Sequence, residues 1–153
     1  MATYNPLGAY LESKVLSASP LELVCLAYEE AIEAVRSART YVIERRIHDR
    51  SRAITKAQLL IGELRSSLDF ERGGQLSQQL SELYVYMLSR LGEANFKQSV
   101  EPLSEVETLL ETVLESWREL AKGENVMAAA ASISSRWATS GDSPAYSFAD
   151  LTL

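Results

Sequence analysis

The sequence predicts an all-α protein: an antiparallel four-helix bundle, preceded by a short N-terminal helical segment and followed by a C-terminal extension. Three observations predict this fold. Four stretches carry apolar side chains at alternating spacings of three and four residues, the period of one helix face. Glycine, proline and capping residues separate the stretches. No stretch shows the apolar–polar alternation of a half-buried strand. Helices joined by short loops pack most simply as an antiparallel bundle.

The first long helix is predicted to begin at Ser19 and Pro20. Ser19 can cap the helix, Pro20 occupies the first position, where its missing N–H costs nothing, and Glu22 completes a capping box. The apolar stripe of this helix comprises Val24, Tyr28, Ala31, Val35, Ala38 and Val42. We predict a short polar connection over residues 45–49, in which Asp49 can cap the next helix and the single histidine, His48, lies in a loop.

Three further stripes follow. The second helix carries Ile54, Ala57, Ile61, Leu64 and Leu68, the third carries Leu76, Leu80, Leu83, Met87, Leu91 and Ala94, and the fourth carries Leu103, Val106, Leu110, Val113, Trp117 and Leu120. Glycine weakens helices, so Gly73 and Gly74 are predicted to break the chain between the second and third helices. Pro102 is predicted to open the fourth helix and Gly123 to end it.

These stripes divide the chain into a bundle over residues 19–122, an N-terminal cap segment over residues 1–18 and a C-terminal extension over residues 123–153. The apolar residues 7–16 are too few for a stable isolated helix, so we expect them to lie on the bundle or to stay mobile. In the extension we expect a short helix over residues 124–138. Its apolar face, which would dock on the bundle, comprises Val126, Ala130, Ile133 and Trp137.

Composition excludes several classes of function. The net charge of −6 argues against nucleic-acid binding, which relies on lysine and arginine. No apolar run approaches the roughly 20 residues of a membrane span, so we expect no membrane insertion. No secretory signal is visible. Cys25 is the only cysteine and cannot form an internal disulfide, so a reducing cytoplasm is the expected compartment.

Charge is distributed unevenly along the chain. Residues 36–65 are rich in arginine, whereas residues 101–122 are rich in glutamate. Two interpretations stay open. The two regions form oppositely charged exteriors of neighbouring helices, or the basic region is a patch for an acidic partner.

No catalytic constellation is visible in the sequence. A di-iron bundle needs paired Glu-x-x-His motifs, and zinc needs three or four nitrogen or sulfur ligands, which His48 and Cys25 cannot supply. Cys25 has no neighbouring base and is interpreted as a core residue. Gly73-Gly74 lacks the following Lys-Ser/Thr of a phosphate loop. We therefore expect no enzyme activity, no cofactor and no metal.

Large apolar residues also lie beside the main stripes: Leu21, Cys25, Ile32, Leu60, Tyr84, Leu88 and Leu109. They either widen the core-facing side of each helix or leave a groove that accepts a partner helix.

The sequence resembles the flagellin-export chaperone family (FliS) over about residues 4–121. The matching blocks are Gly8-Ala-Tyr10 with residues 15–20; Leu23-Val24, Tyr28-Glu29 and Ala31-Ile32; residues 67–69 and 73–76 with Leu80, Leu83, Tyr84, Tyr86, Met87, Leu91, Ala94 and Asn95; and residues 105–107, Leu109, Leu110 and Trp117. The sequence departs from the family pattern at Glu29-Glu30, where Asp-Gly is usual after the tyrosine, and at Gln79, where Asn is common. The chain from Gly123 onward lies outside the resemblance.

The resemblance implies a cytoplasmic export chaperone that binds the C-terminal region of newly made flagellin, prevents its premature polymerisation and aids its delivery to the flagellar export apparatus. A component of the export gate is then a further partner, and the chaperone itself is a monomer or a weak dimer. The resemblance also implies that Leu7 and Tyr10 form a lid over the client site. The implied groove positions are Tyr28, Ile32, Leu83, Tyr84, Met87 and Asn95.

The alternative is a non-catalytic regulatory or scaffold bundle that self-associates through the same surface. Co-purification with flagellin, compared with self-association at the same concentration, distinguishes the two. The C-terminal extension either competes for the client groove or braces an unrelated face of the bundle.

Overall fold

A computed structural model describes residues 20–122 as four α-helices. They are α1 (Pro20–Ile43), α2 (Ile47–Ser66), α3 (Phe70–Lys97) and α4 (Glu101–Ala121). Each helix packs against its neighbour in the chain, and α1 also packs against α4, which closes the bundle. Over the described residues the predicted all-α, four-helix architecture is confirmed.

Cross-helix hydrogen bonds show that neighbouring helices are antiparallel. On the α1–α4 face, Arg118 donates to Glu29, whereas Arg36, further along α1, donates to Glu111, which is earlier in α4. The α2–α3 pair shows the same reversal. Arg65 donates to Ser81, and Ser51, at the other end of α2, donates to Asn95. The connections between helices are only a few residues long, as antiparallel neighbours require.

The predicted stripes form one continuous core. The largest fully buried side chains come from all four helices: Tyr28, Val35, Ile54, Ile61, Leu80, Leu83, Tyr84, Met87, Leu91, Leu103, Val106 and Leu110. Among the residues beside the stripes, Cys25, Ile32, Tyr84 and Leu109 are buried, while Leu60 and Leu88 pack partly against the core. Burial of these side chains removes apolar surface from water, so most of this second set widens the core.

The α1–α2 connection differs from the predicted one. The helices are separated only by residues 44–46, and Arg45 adopts a positive φ of 58° in this turn. The prediction that Asp49 caps α2 is wrong. Asp49 lies in the first turn of α2, and its carboxylate is 2.7 Å from the Arg46 guanidinium. A carboxylate in the first turn is stabilised by the free N–H groups of the helix start. The predicted loop position of His48 is also wrong, since His48 is an exposed residue of the same turn.

The break between α2 and α3 comes before the glycines, so its predicted position is wrong. α2 ends at Ser66, and Leu68 lies in the connection. Asp69 Oδ1 accepts hydrogen bonds from the backbone N–H groups of Glu71 (3.0 Å) and Arg72 (3.1 Å). This N-cap satisfies two donors at the start of α3 and begins the helix ahead of the glycine pair. Gly74 then bends α3, with φ 50° and ψ −124°.

Two glycines of α3 are expected to respond to alanine with opposite signs. Gly74→Ala should lower the free energy of unfolding by about 1–3 kcal/mol, because its positive φ is strained for a residue with a side chain. Gly92→Ala should raise it by about 0.4–1 kcal/mol, because a Cβ there meets no atom within 4 Å and restricts the unfolded chain. Urea denaturation of both variants measures the difference. Equal signs would contradict the backbone assignment at Gly74.

Several sequence predictions fall outside the described residues. They are the Ser19 cap, the N-terminal segment over residues 1–18 with Leu7 and Tyr10, the helix end at Gly123, and the helix expected over residues 124–138. Within residues 20–122, no helix has the length and apolarity needed to cross a membrane.

Candidate partner-binding surface

Five of the six implied groove positions in the bundle belong to its core. Tyr28, Leu83 and Met87 have no exposed surface, Tyr84 is 1% exposed and Ile32 is 5% exposed. In the described bundle these side chains therefore contact other helices rather than solvent. Their contact with a partner remains a prediction.

Tyr28 and Tyr84 meet in the middle of the core. Their hydroxyl oxygens are 2.5 Å apart and their ring centroids 6.3 Å apart, which joins α1 to α3 across the bundle. Burial raises the pKa of Tyr84 to about 12. Burial, reinforced by the neighbouring Tyr84, raises the pKa of Tyr28 well above its ordinary value. Both phenols are therefore neutral at physiological pH, and the pair is a structural link.

Asn95 is the sixth position, and it lies at the edge of the α2–α3 interface. Its side-chain oxygen accepts hydrogen bonds from Arg50 Nε (3.1 Å) and from the Ser51 hydroxyl (3.3 Å). Arg50 is only 6% exposed and makes no ion pair with a carboxylate among residues 20–122. Asn95 is half-buried, so the structure leaves it within reach of a partner.

An apolar surface continues from Asn95 along the α2–α3 interface. Ser81 and Asn95 face α2. Val85, Leu88, Gly92 and Phe96 follow Ser81 at spacings of four, three, four and four, which places them on the same side of α3. On this side Leu88 is half-buried, Val85 is 40% exposed and Phe96 is 87% exposed. On α2, Ile47 shares the side of Ser51 and Arg65 and is 54% exposed.

Two glycines deepen this surface. Gly62 lies on the side of α2 that carries Ile47, and Gly92 lies on the side of α3 that carries Val85 and Leu88. A Cβ built on either glycine meets nothing within 4 Å. A side chain at either position would therefore point into open space. We call this surface the α2–α3 groove, defined by Ile47, Gly62, Val85, Leu88, Gly92 and Phe96.

Most of the groove residues were absent from the sequence-based site. The available signal was a second stripe on α3, formed by Val85, Leu88, Gly92 and Phe96 at spacings of three, four and four beside the core stripe. Of the implied positions in the bundle, only Asn95 adjoins the groove.

Ion pairs between α1 and α4, on the side of the bundle opposite the groove, account for much of the uneven distribution of charge along the chain. Arg36 Nε donates to Glu107 (2.8 Å) and Arg36 Nη2 to Glu111 (2.7 Å), and Arg39 also donates to Glu107. The first interpretation, oppositely charged neighbouring helices, therefore holds for α1 and α4. Arg45 and Arg52 have no ion pair with a residue of the described range, so the second interpretation stays open for the α1–α2 end.

The reactive side chains of the bundle do not converge. Burial raises the pKa of the Cys25 thiol, which disfavours the nucleophilic thiolate. Within residues 20–122, no three His, Cys, Asp or Glu side chains are placed to hold a metal ion. The surface described above offers binding contacts to a partner.

The fold and the groove define a four-helix-bundle protein with an apolar surface of the kind that accepts a partner helix. The chain matches the family model described as "Flagellar protein FliS" over residues 3–124. The chain belongs to the FliS family, and the resemblance seen in the sequence is confirmed.

Known relatives agree with this assignment. The chain is 35% identical to the flagellar secretion chaperone FliS of Salmonella typhimurium over 125 residues, which cover 78% of this chain and 93% of the relative. It is 38% identical to the flagellar secretion chaperone FliSB of Pseudomonas aeruginosa over 107 residues, covering 70% and 85%. It is 31% identical to FliS of Bacillus subtilis over 124 residues, covering 81% and 92%.

Proposed function

We propose that this chain is a cytoplasmic, non-enzymatic chaperone that binds the C-terminal region of flagellin, prevents its premature polymerisation and aids its delivery to the export apparatus. Membership of the FliS family supports this function, since the relatives are named flagellar secretion chaperones. The observation that carries it is the α2–α3 groove, where Phe96 is 87% exposed one helical turn after Gly92.

The groove suits an amphipathic helix of the client. Such a helix presents apolar residues at spacings of three and four, which match the spacing of Val85, Leu88 and Phe96 along α3. Phe96 can bury about 150–250 Å² against the client. Because Gly62 and Gly92 have no side chains, the client backbone can approach α2 and α3 closely.

We assign the remaining positions by their burial. Asn95 borders the groove and can contact the client directly, and Leu7 and Tyr10 are proposed as its lid. Contact between the client and the core pair Tyr28 and Tyr84 would require α1 and α3 to separate. These two residues therefore support the groove by holding the bundle together.

The proposed partners include a component of the export gate, and the free chaperone is proposed to be a monomer or a weak dimer. The same apolar groove would fit a second copy of this chain, as a self-associating scaffold bundle would require. Measurements of client binding and of self-association on the same variants distinguish the two functions.

Calorimetry with a peptide from the C-terminal region of flagellin tests the proposal. We expect about one peptide per chain. Gly92→Phe fills the groove, and Phe96→Ser removes its main apolar contact. Each should weaken binding at least tenfold, or about 1.4 kcal/mol. Gly92→Ala is the matched control for Gly92→Phe. Ile43→Ser is the control for Phe96→Ser, because Ile43 is 69% exposed and belongs to α1, which contributes no residue to the groove.

Two results would overturn the proposal. The absence of binding heat for the unmodified chain at tens of micromolar peptide would contradict binding of the flagellin C-terminal region. Equal peptide affinities for Gly92→Phe and Gly92→Ala would show that the peptide does not bind in the α2–α3 groove. Sedimentation of the same variants without peptide tests the alternative. Loss of a dimer in Gly92→Phe, without any peptide binding in the unmodified chain, would favour the self-associating bundle.

A further inference from the structure

A cavity of about 530 Å³ lies between α1 and α4, on the side of the bundle opposite the α2–α3 groove. Ile32 and Leu114, which are 5% and 3% exposed, contribute apolar lining to it. The remaining lining residues are charged. The cavity therefore combines an apolar part with a polar rim, as sites for an anchoring side chain do.

Two ion pairs bound the cavity along the bundle axis. Arg118 Nη2 lies 3.0 Å from a Glu29 oxygen, and Arg36 Nη2 lies 2.7 Å from a Glu111 oxygen. The two pairs are seven residues apart on each helix, which corresponds to about 10 Å along the axis. A partner helix lying along the α1–α4 interface would not fit in this opening unless the two ion pairs broke. It is wide enough for one large side chain.

The charge around the cavity specifies the neighbour of that side chain. Four glutamates and two arginines line the cavity, and both arginines belong to the bounding ion pairs. Glu33 lines the cavity without an ion pair to any residue in the range 20–122. The occupant that fits is a large aromatic side chain with a cation next to it in sequence.

The chain holds such a pair beyond the end of α4. Trp137 is the only tryptophan of residues 123–153, and Arg136, directly before it, is the only basic residue there. α4, which forms one wall of the cavity, ends at Ala121, close to Arg118. The fifteen residues after Lys122 end at Trp137. They span about 22 Å even as a helix, more than the roughly 16 Å from Lys122 back to Glu111.

We propose that Trp137 of the C-terminal extension inserts into the α1–α4 cavity over Ile32 and Leu114, and that Arg136 pairs with Glu33. The extension then braces a face remote from the α2–α3 groove and leaves that groove free. This contact lies within a single chain, so it does not depend on the proposed client.

Acrylamide quenching of Trp137 fluorescence tests the proposal. The signal of Trp137 is obtained from the difference between the full chain and its Trp137→Phe variant, which leaves Trp117 in place. We expect a quenching constant at least threefold lower than that of a peptide of residues 123–153. Glu33→Arg should raise the constant toward the peptide value. Glu63→Arg, the same charge reversal at an exposed position of α2, should leave it unchanged.

Each outcome decides the proposal. A quenching constant equal to that of the peptide overturns docking of Trp137. A low constant that survives Glu33→Arg, or that Glu63→Arg raises equally, overturns the assigned cavity. A thermal double-mutant cycle gives an independent reading, because Trp137→Ala should lower the Tm of the full chain but leave the Tm of the Glu33→Arg variant unchanged. Equal shifts in both backgrounds also overturn the assignment.

Discussion

Replacing Tyr84 with alanine is expected to lower the free energy of unfolding by about 3–5 kcal/mol, the range observed for truncating buried aromatic residues. Tyr84 is 1% exposed, so its truncation leaves a cavity between α1 and α3. It also removes the hydrogen-bond partner of Tyr28, whose hydroxyl is fully buried. Domains are stable by only about 5–15 kcal/mol, so this loss is a large part of the total.

Urea denaturation followed by circular dichroism measures this effect. Tyr84→Phe keeps the ring and should cost about 1–3 kcal/mol, because it removes the buried hydrogen bond between Tyr28 and Tyr84. Val85→Ala is the neighbouring control. Val85 is 40% exposed, and its truncation should change stability by about 0.5 kcal/mol or less. A cost below about 1 kcal/mol for Tyr84→Ala would show that Tyr84 is not in the core.

The helices and the core were predictable from the sequence because burial imposes a period on each helix. Leu83, Met87 and Leu91 recur at spacings of four, and all three are fully buried. A periodic pattern reports the average direction of a helix face, so it is insensitive to errors at single residues. The ends of the helices depend on single residues and were predicted less well.

Local hydrogen bonds explain the misplaced connections. Gly73-Gly74 is the strongest breaker signal of its region, yet the Asp69 side chain starts α3 four residues earlier than Gly73. The glycine pair then produces a bend inside the helix. The α1–α2 turn depends on a positive φ at Arg45. Arginine rarely adopts this conformation, so its presence in the sequence does not indicate such a turn.

The groove could not be separated from the core by sequence pattern alone. Tyr84 and Leu88 are both apolar residues at helical spacing, yet Tyr84 is buried and Leu88 is only partly covered. Their difference depends on the distance between helices, which periodicity does not contain. Gly62 and Gly92 read as weak points of their helices in the sequence, whereas in the bundle their missing side chains create the open space of the groove.

Raising the pH above 10 is expected to destabilise the bundle steeply, because its two core tyrosines must stay neutral. The ordinary tyrosine pKa is 10.0, and burial raises the pKa of Tyr84 to about 12 and that of Tyr28 well above the ordinary value. Between pH 10 and 12 the unfolded chain therefore releases phenolic protons that the folded chain retains. Stability is fully present below pH 10 and falls as the pH rises through this window.

The expected slope follows from the number of protons involved. Each retained proton lowers the free energy of unfolding by about 1.4 kcal/mol per pH unit, and both tyrosines act in the same direction within the window. Tyr28→Phe/Tyr84→Phe should remove this part of the slope. Because it replaces both partners of the hydrogen bond, it should change stability little at neutral pH. Urea titrations at a series of pH values measure both quantities, with Tyr41→Phe, at a half-buried position outside the pair, as the control. A slope that persists in the double variant would place the alkaline transition in other groups and contradict a neutral, buried tyrosine pair.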